Sequence, residues 1–561
     1  MVSESSHDVA QPLIATLLSS FAQHAAVLNG RRVWLACSGG RDSLSLAAIC
    51  LQLYHQGKLP FLPQLLHVNH GLQAANDAWA KQVQAWAEEH GMSCQILPAR
   101  VQGSDEQAAR QARYDALMQV MNIGDVLILA HHRNDQVETV LMRLFNGAGV
   151  NGLSGMQEWS DKTCRNKAQK AKTIHLWRPW LPVSRAQITD YAQGVCLDYI
   201  DDPTNEMPAS PSKHDDLAFK SPLGLEALND RAWLRSVIMP QIQARFPQVS
   251  SAIARSSQLL SDANSIVMAQ AQDDLTTCLY QDSDRSRQWQ LTAELAHLQS
   301  ILDINLVLDL PAARQSALIH YWLSPKATDL PPPKRLVDDV LELCLRQDND
   351  HQTCLHWQSA PDNSQHGYEI RRYRQRLFRL RSDWSAWLAS PPRSQELLLR
   401  DMLFNKKLLK QWLLDGGSSK YCELKHSHHA FSWQLQHLSE LTANLLVSLA
   451  DTNSDNLALQ FEPLPRDLPL RLAGRIGSKS GKKLLQALQL PQFMRGSVIL
   501  CSLIYKQADD QAATSRVLPH RTPLFILSMT GVTVLQSSQT AVIQSWLSHH
   551  HPVMRLRHNL H

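Results

Sequence analysis

The sequence predicts an α/β protein. A doubly wound parallel sheet comes first, then a mainly helical middle domain, then a mixed α+β C-terminal domain. Three observations carry this expectation. Short apolar runs alternate with helix-like runs from Val33 to Phe145. A glycine turn, Ser38 to Ser43, lies between the first such strand and the first such helix. Beyond Asp230, helical spacing dominates up to proline breaks at Pro331-Pro332-Pro333 and Ser390-Pro391-Pro392. Alternating strands and helices argue for a parallel sheet covered on both faces. The expected domains are residues 1–227, 228–440 and 441–561.

Each element has its own signal. Val33 to Cys37 is a continuous apolar strand, and Leu44 to Leu51 a helix. Leu65 to Val68 reads as a second buried strand. Ala78 to His90 carries Trp79, Val83 and Trp86 at helical spacing. Cys94 to Leu97 is a strand, Glu106 to Val120 a helix, Asp125 to Ala130 a strand and Asn134 to Phe145 a helix. Gln157 to Lys172 and Glu206 to Ser221 are polar and charged, and both are expected to be surface loops. Helices are expected at Trp233 to Phe246, Ser250 to Leu275, Leu291 to Ile301 and Arg335 to Leu345. Tyr368 to Arg381 is strand-like and strongly basic; short apolar strands follow at Pro523 to Ser528 and Val532 to Leu535.

Composition narrows the class. A chain of 561 residues suits about three to four domains. With 44% hydrophobic and 19% charged residues, a soluble globular protein is expected. The 55 basic and 51 acidic residues leave a net charge of +4, too even to require a nucleic-acid partner but compatible with one if charge is clustered. Ten cysteines without a Cys-x-x-Cys pair argue against a disulfide framework or zinc ribbon and for buried thiols. Met1 to Gln11 lacks a secretory pattern, and no run approaches the ~18 apolar residues of a membrane span. The expected location is the cytoplasm.

The glycine turn is the strongest chemical signal. Gly39 and Gly40 let backbone amides approach an anion closely, and the following helix turns its positive end toward it. Ser38 and Ser43 add hydroxyls, and Asp42 can hold magnesium. No Gly-Lys-Ser/Thr closes the loop, so it is not a Walker loop. Between strand and helix, a phosphate or pyrophosphate site is favoured over an ordinary turn. His67 and Asn69 also end a strand, where sheets of this kind bind ligands. By pattern alone, a strand-end turn with solvated histidines is the favoured reading there. Arg110, Arg113 and Tyr114 lie on adjacent helical turns, either as a phosphate clamp or as a solvated face. Asp135 and Glu138 start a helix three residues apart, where they can bind a cationic substrate or magnesium, or simply suit the positive helix end. His131 and His132 precede them without a matching metal-ligand cluster. The arginines from Arg371 to Arg381 suit an edge strand that resists aggregation or an RNA-backbone strip. With Lys479, Lys482 and Lys483, the balance leans to RNA.

Taken in order, the motifs are SGGRDS, HVNHGL, EQAARQARY, AHHRNDQVET, FNGAGVNGLSGM, RPWLPVSR and DYIDDPTN. This ordered set closely resembles the tRNA(Ile)-lysidine synthetases, members of the N-type ATP pyrophosphatase (PP-loop) superfamily. The resemblance resumes at Glu369 to Leu380 and at Arg475 to Gly496, the latter resembling a C-terminal tRNA-binding domain. It implies a PP-loop ATPase domain at the N-terminus. It also implies ATP and magnesium as cofactors, with free L-lysine and an isoleucine tRNA with a CAU anticodon as substrates. ATP adenylates the C2 oxygen of the wobble cytidine and pyrophosphate leaves; the lysine ε-amine then displaces AMP to give lysidine. Thiolation by a related pyrophosphatase lacks support, since such enzymes generally need cysteines that no Cys-x-x-Cys here supplies.

The resemblance also implies roles. Ser38, Gly39, Gly40, Arg41, Asp42, Ser43, His67, Asn69 and Arg113 are expected to bind ATP, with Asp42 on magnesium. Asp135 and Glu138 are expected to hold lysine and, with His131 as alternative, to accept its proton. Arg113 and Arg178 are candidates for phosphate or adenylate contact. Arg178, Arg231, Arg235, Arg372, Arg374, Lys479, Lys482 and Lys483 are expected on tRNA. The sequence departs from the family at Asn134, Asn146 and Ala232, and by an insertion after Asn205. It leaves a homodimer open and is expected to have no membrane partner.

Overall fold

The computed structural model describes residues 4–69, 76–99, 106–165, 171–200, 230–280, 298–324, 331–347, 353–358, 367–399, 421–428, 431–436, 438–449, 457–505, 521–529, 531–549 and 554–558. The expected loop at Glu206 to Ser221 lies outside them. The chain divides into two compact units, Met1–Ala269 and Gln270–His561.

The first unit is built on one six-stranded sheet in the order β3-β2-β1-β4-β6-β5. Its strands are β1 (Val33–Ala36), β2 (Gln64–Asn69), β3 (Cys94–Pro98), β4 (Val126–Ile128), β5 (Trp159–Arg165) and β6 (Ala171–Trp177). All neighbours pair in parallel except β5 and β6. The helices are α1 (Glu4–Leu28), α2 (Arg41–His55), α3 (Asn76–Glu89), α4 (Glu106–Val120), α5 (Arg133–Phe145), α6 (Val150–Leu153) and α7 (Arg185–Gly194). Two apolar clusters lie against the sheet, one including Leu35, Ile49 and Trp177 and the other including Trp34, Leu117 and Leu127. Residues of both clusters alternate along β1, which explains its unbroken apolar run. Buried Trp34 donates from Nε1 to Asp125 at 2.8 Å, and the Asn122 amide donates to the same carboxylate at 2.8 Å.

Two sequence expectations fail here. Gln157 to Lys172 is not loop throughout: Trp159–Arg165 and Ala171–Lys172 are strand, β5 is the antiparallel edge of the sheet, and residues 166–170 lie outside the described set. Charges that discourage edge-to-edge pairing give an edge strand a loop-like composition. The expected helix at Leu291 to Ile301 ends in strand β7 (Gln299–Asp303), and residues before Leu298 lie outside the described set. Ser300-Ile301-Leu302 pair across β7 and β10, so sheet pairing overrides the apolar spacing there.

Short helices α8 (Asp230–Trp233) and α9 (Met239–Arg245) flank a π-helical turn, Leu234–Ile238, and α10 spans Val249–Cys278. The second unit continues through α11 (Ile304–Leu308), α12 (Ala312–Leu323) and α13 (Lys334–Leu345). An antiparallel sheet follows, β7-β10-β9-β8, with β8 (Cys354–Trp357), β9 (Tyr368–Tyr373) and β10 (Arg376–Arg381). After α14 (Ser382–Ala389) comes a five-stranded antiparallel sheet, β11-β14-β17-β18-β19. Those strands are β11 (Gln395–Leu398), β14 (Leu457–Pro463), β17 (Ile499–Tyr505), β18 (Arg521–Ser528) and β19 (Gly531–Val534). Smaller sheets join β12 (Tyr421–Leu424), β13 (Phe431–Gln436) and β20 (Met554–His558), and pair β15 (Pro469–Leu470) with β16 (Lys479–Ser480). The α/β class and its order, parallel sheet, helices, then antiparallel strands, agree with the sequence reading. Among the described residues no helix is long and apolar enough to cross a membrane.

Candidate active site

The loop joining β1 to α2 is four residues long, Cys37 to Gly40. It folds on its own hydroxyls. The Ser38 amide donates to Ser43 Oγ at 3.2 Å, and the Gly40 amide donates to Ser38 Oγ at 3.3 Å. Ser43 Oγ in turn donates to the Gly40 carbonyl at 3.0 Å. Gly39 has φ of +85°, and a Cβ there would lie 2.3 Å from Ile200 Cδ1 and 2.7 Å from Val83 Cγ2. Only glycine fits both the backbone and the space. The Ile200 amide closes the loop from behind by donating to the Gly39 carbonyl at 2.9 Å. Among the described residues no side chain caps the start of α2. Its first-turn amides and the positive helix end remain available to an anion.

Asp42 stands on the first turn of α2. His132 Nε2 lies 3.4 Å from its Oδ2, and Arg41 Nε donates to its Oδ1 at 3.1 Å. His132 ends the loop after β4 and caps α5. Its Nδ1 lies 3.4 Å both from the Asp135 amide, which it accepts when the ring is neutral, and from Asp135 Oδ2, which accepts the His132 amide at 3.0 Å. Buried His132 thus bridges the carboxylates of Asp42 and Asp135. Burial alone would raise the Asp42 pKa, but the His132 hydrogen bond and charge, then Arg41, take it down to about 2. Burial opposes a charge on His132, and the Asp42 hydrogen bond with the charges of Asp135 and Asp42 outweighs it, so its pKa is raised.

The Asp42 contribution to stability is present above the ordinary aspartate pKa near ~3.9 and is lost as pH falls through about 2. That of His132 is complete below ~6.5 and is lost as pH rises through its raised folded value. Histidine NMR titration is expected to show His132 titrating above ~6.5 and His67 below it. A His132 midpoint below that of His67 would contradict this bridge.

Glu138 is 4% exposed on the inner face of α5. Arg235, from the π-helical turn, donates Nε to its Oε1 at 2.7 Å and Nη2 to its Oε2 at 2.8 Å. The same Nη2 is 4.0 Å from Asp135 Oδ1. In this fork-on-fork pair the guanidinium of Arg235, a residue expected on tRNA, is paired with Glu138. It also shows that the Asp135/Glu138 pair accommodates a cation.

His131 lies in the opposite electrostatic field. Burial, then the charges of Arg178, Arg110, His132 and Arg231, push its pKa down to about 3. Its buried Nδ1 has no hydrogen-bond partner among the described residues. Burial and the surrounding guanidiniums hold the ring neutral, and those guanidiniums oppose an ammonium beside it, which weighs against His131 as the base toward lysine. Arg178 is 5% exposed and donates to the Gln157 carbonyl at 2.8 Å and to Ser160 Oγ at 3.0 Å. Its guanidinium, expected on tRNA or on a phosphate, is thus held by the first unit's own groups. Arg231 is half-buried on α8, and Arg113 is exposed on α4.

His67 and Asn69 brace the site. Buried His67 donates from Nδ1 to the Cys37 carbonyl at 2.9 Å, tying β2 to the loop, and burial lowers its pKa. Asn69 donates to Asp77 Oδ1 at 2.8 Å.

The arginine stretch of the second unit is a hairpin turning at Arg374 and Gln375, with Arg374 at φ of +54°. Arg372, expected on tRNA, is buried and donates to the backbone carbonyls of Arg374 and Arg346. Arg371 lies over Phe493, Arg376 over Tyr280 and Arg379 over Tyr368. The faces of Phe493, Tyr280 and Tyr368 are thus occupied by arginines of the stretch itself. Arg374 remains exposed, as do Lys479, Lys482 and Lys483 around the start of the helix Gly481–Ala487.

Sequence reading missed His132 as a bridging residue. The signal was its place between a strand end and an acidic helix start, but its Asp42 partner lies far back in the chain.

Comparison with known proteins agrees with this geometry. Residues 12–210 match the PP-loop domain family, and residues 302–378 match the TilS substrate binding domain. A tRNA(Ile)-lysidine synthase from Psychrobacter sp. (strain PRwf-1) is 48% identical over 95% of this chain and 96% of its own length. One from Xanthomonas axonopodis pv. citri is 32% identical over 72% of this chain and 82% of its own. One from Acinetobacter baylyi is 33% identical over 62% of each. The pyrophosphate-type loop, the matched substrate binding domain and near full-length identity place this chain in the tRNA(Ile)-lysidine synthase family.

Proposed function

We propose that this protein uses ATP to join free L-lysine to C2 of the wobble cytidine in a CAU-anticodon isoleucine tRNA, forming lysidine, AMP and pyrophosphate. The observation that carries the chemistry is the His132 bridge from Asp42, on the phosphate loop, to Asp135, on the helix that can hold an amine. One element handles the leaving group, the other the nucleophile, and one imidazole fixes their spacing.

In the first step the cytidine C2 oxygen attacks the α-phosphorus of ATP and pyrophosphate departs. The amides after Gly39 and the hydroxyls of Ser38 and Ser43 suit the charge that develops on it. Asp42 offers a hard, ionised oxygen of the kind magnesium shares with phosphates, and a bound magnesium ion would supply charge neutralisation there. In the second step the lysine ε-amine forms the bond to C2, and AMP leaves with the former C2 oxygen. The ammonium pKa near ~10.4 means that a proton must leave first. Asp135 is the favoured acceptor, with Glu138 completing the cation site. Arg235 neutralises Glu138 until a substrate ammonium competes for it. The solvent-facing Arg374, Lys479, Lys482 and Lys483 are the remaining candidates for tRNA phosphates. Cytoplasmic action follows from these substrates.

The direct test supplies ATP, magnesium, radiolabelled lysine and CAU-anticodon isoleucine tRNA, with methionine tRNA as control. Label entering only the isoleucine tRNA is expected. ATP–pyrophosphate exchange without lysine incorporation would keep the adenylating site and overturn the nucleophile.

Two variants probe the substrates separately. Glu138→Gln is expected to raise KM for lysine by about tenfold or more, with a smaller change for ATP. Equal effects on both substrates would remove Glu138 from the lysine site. Lys479→Ala, Lys482→Ala and Lys483→Ala combined are expected to raise KM for tRNA. The slope of log affinity against log salt should flatten by about 2. An unchanged slope would take these lysines off the RNA surface.

A further inference from the structure

Strand β8 is the edge of the four-stranded sheet, hydrogen-bonded only to β9 within it. Leu355 and Trp357 pack against the apolar cluster beneath, so Cys354 and His356 share the other face. In the antiparallel register His356 stands directly opposite Glu369 of β9. Cys354 Sγ, a His356 ring nitrogen and a Glu369 carboxylate oxygen lie within 4.8 Å of one another.

We propose that Cys354, His356 and Glu369 form a binding site for a thiophilic divalent cation of the zinc class. One sulfur, one nitrogen and one carboxylate oxygen make the donor set of an open tetrahedral site. Ligand bonds of about 2.0–2.3 Å bring such donors somewhat closer together than they now stand, a change within reach of side-chain rotation. Thiolate and carboxylate together balance two positive charges.

The carboxylate is already oriented. Arg371 Nε and Nη2 each lie 3.0 Å from Glu369 Oε2, and Ser385 Oγ donates to the same oxygen at 2.5 Å. All three donors take one oxygen, leaving the other for a ligand bond. Arg371 is itself held over the Phe493 ring, 5.4 Å from its centroid, so it acts as an outer-sphere brace. Its charge opposes a second cation, which sets a cost that only strong donors offset.

The thiol supplies selectivity. Burial pushes the Cys354 pKa up to about 11, with Arg371 pulling it down and Glu369 pushing it up. At neutral pH the free side chain keeps its proton. A soft or borderline ion displaces that proton and binds sulfur, whereas magnesium and calcium do not. The bond formed is metal to sulfur, and the proton goes to solvent.

Cobalt(II) titration of the full-length protein tests this. One ion per chain is expected, with a thiolate-to-cobalt charge-transfer band, displaced by zinc. Cys354→Ser should abolish the band, while Cys196→Ser, at an exposed cysteine outside the cluster, should retain it. His356→Ala should weaken cobalt binding about tenfold or more. No band, or a band that survives in Cys354→Ser, overturns the site. A second measurement needs no variant: zinc should slow alkylation of Cys354, read by peptide mapping, and magnesium should not. Equal alkylation rates with and without zinc also overturn it.

Discussion

Asp42→Asn is expected to slow tRNA-dependent pyrophosphate release by ~10²-fold or more, the usual loss for one preorganised electrostatic contact at a reacting phosphate. The substitution nearly preserves shape. It removes the charge that His132 and Arg41 hold well below the ordinary aspartate range. It also removes one of the two carboxylates that favour a charged His132, so its effect reaches Asp135 through the bridge. Single-turnover release of labelled pyrophosphate separates this from weaker ATP binding. Wild-type release from the variant would sink the role assigned to Asp42.

Arg235→Ala is expected to destabilise the fold by about 3–5 kcal/mol, because it leaves a buried carboxylate without its cation. Glu138 has 5% of its side chain exposed, and both its oxygens are taken by that one guanidinium. The double variant Arg235→Ala/Glu138→Gln should recover much of the loss, since a neutral amide needs no counter-charge. Urea unfolding of the two single variants and the double variant gives the coupling directly. If the double variant is no more stable than Arg235→Ala, the pair is not what holds α5 to the π-helical turn.

The phosphate loop was legible because its requirements are local. Glycine at position 39 answers a positive φ, and the apolar run before it and the helix after it are both read from adjacent residues. The active-site pairs were not legible for the opposite reason. Asp42 meets His132, and Glu138 meets Arg235, only after the sheet has assembled distant segments. The arginine stretch is a different case. Strand alternation and nearby aromatics turn a run that looks uniformly solvent-seeking into one buried arginine, several ring-stacked ones and a single exposed turn. Gln157 to Lys172 failed because edge strands and loops draw on the same charged residues. A catalogue of residue types thus gives the chemistry present, while pairing decides which groups remain free to perform it.

The contact between Ile200 and Gly39 carries a lesson for dissection of the chain. Every strand of the parallel sheet is complete by Trp177, and α7 ends at Gly194, so a fragment stopped there would keep all the regular elements of the sheet. It would nevertheless lose the amide and the side chain that press on the phosphate loop from behind. Such a fragment would retain the scaffold but leave the loop free to relax. The smallest piece that holds the phosphate loop is therefore defined by a backstop rather than by α7.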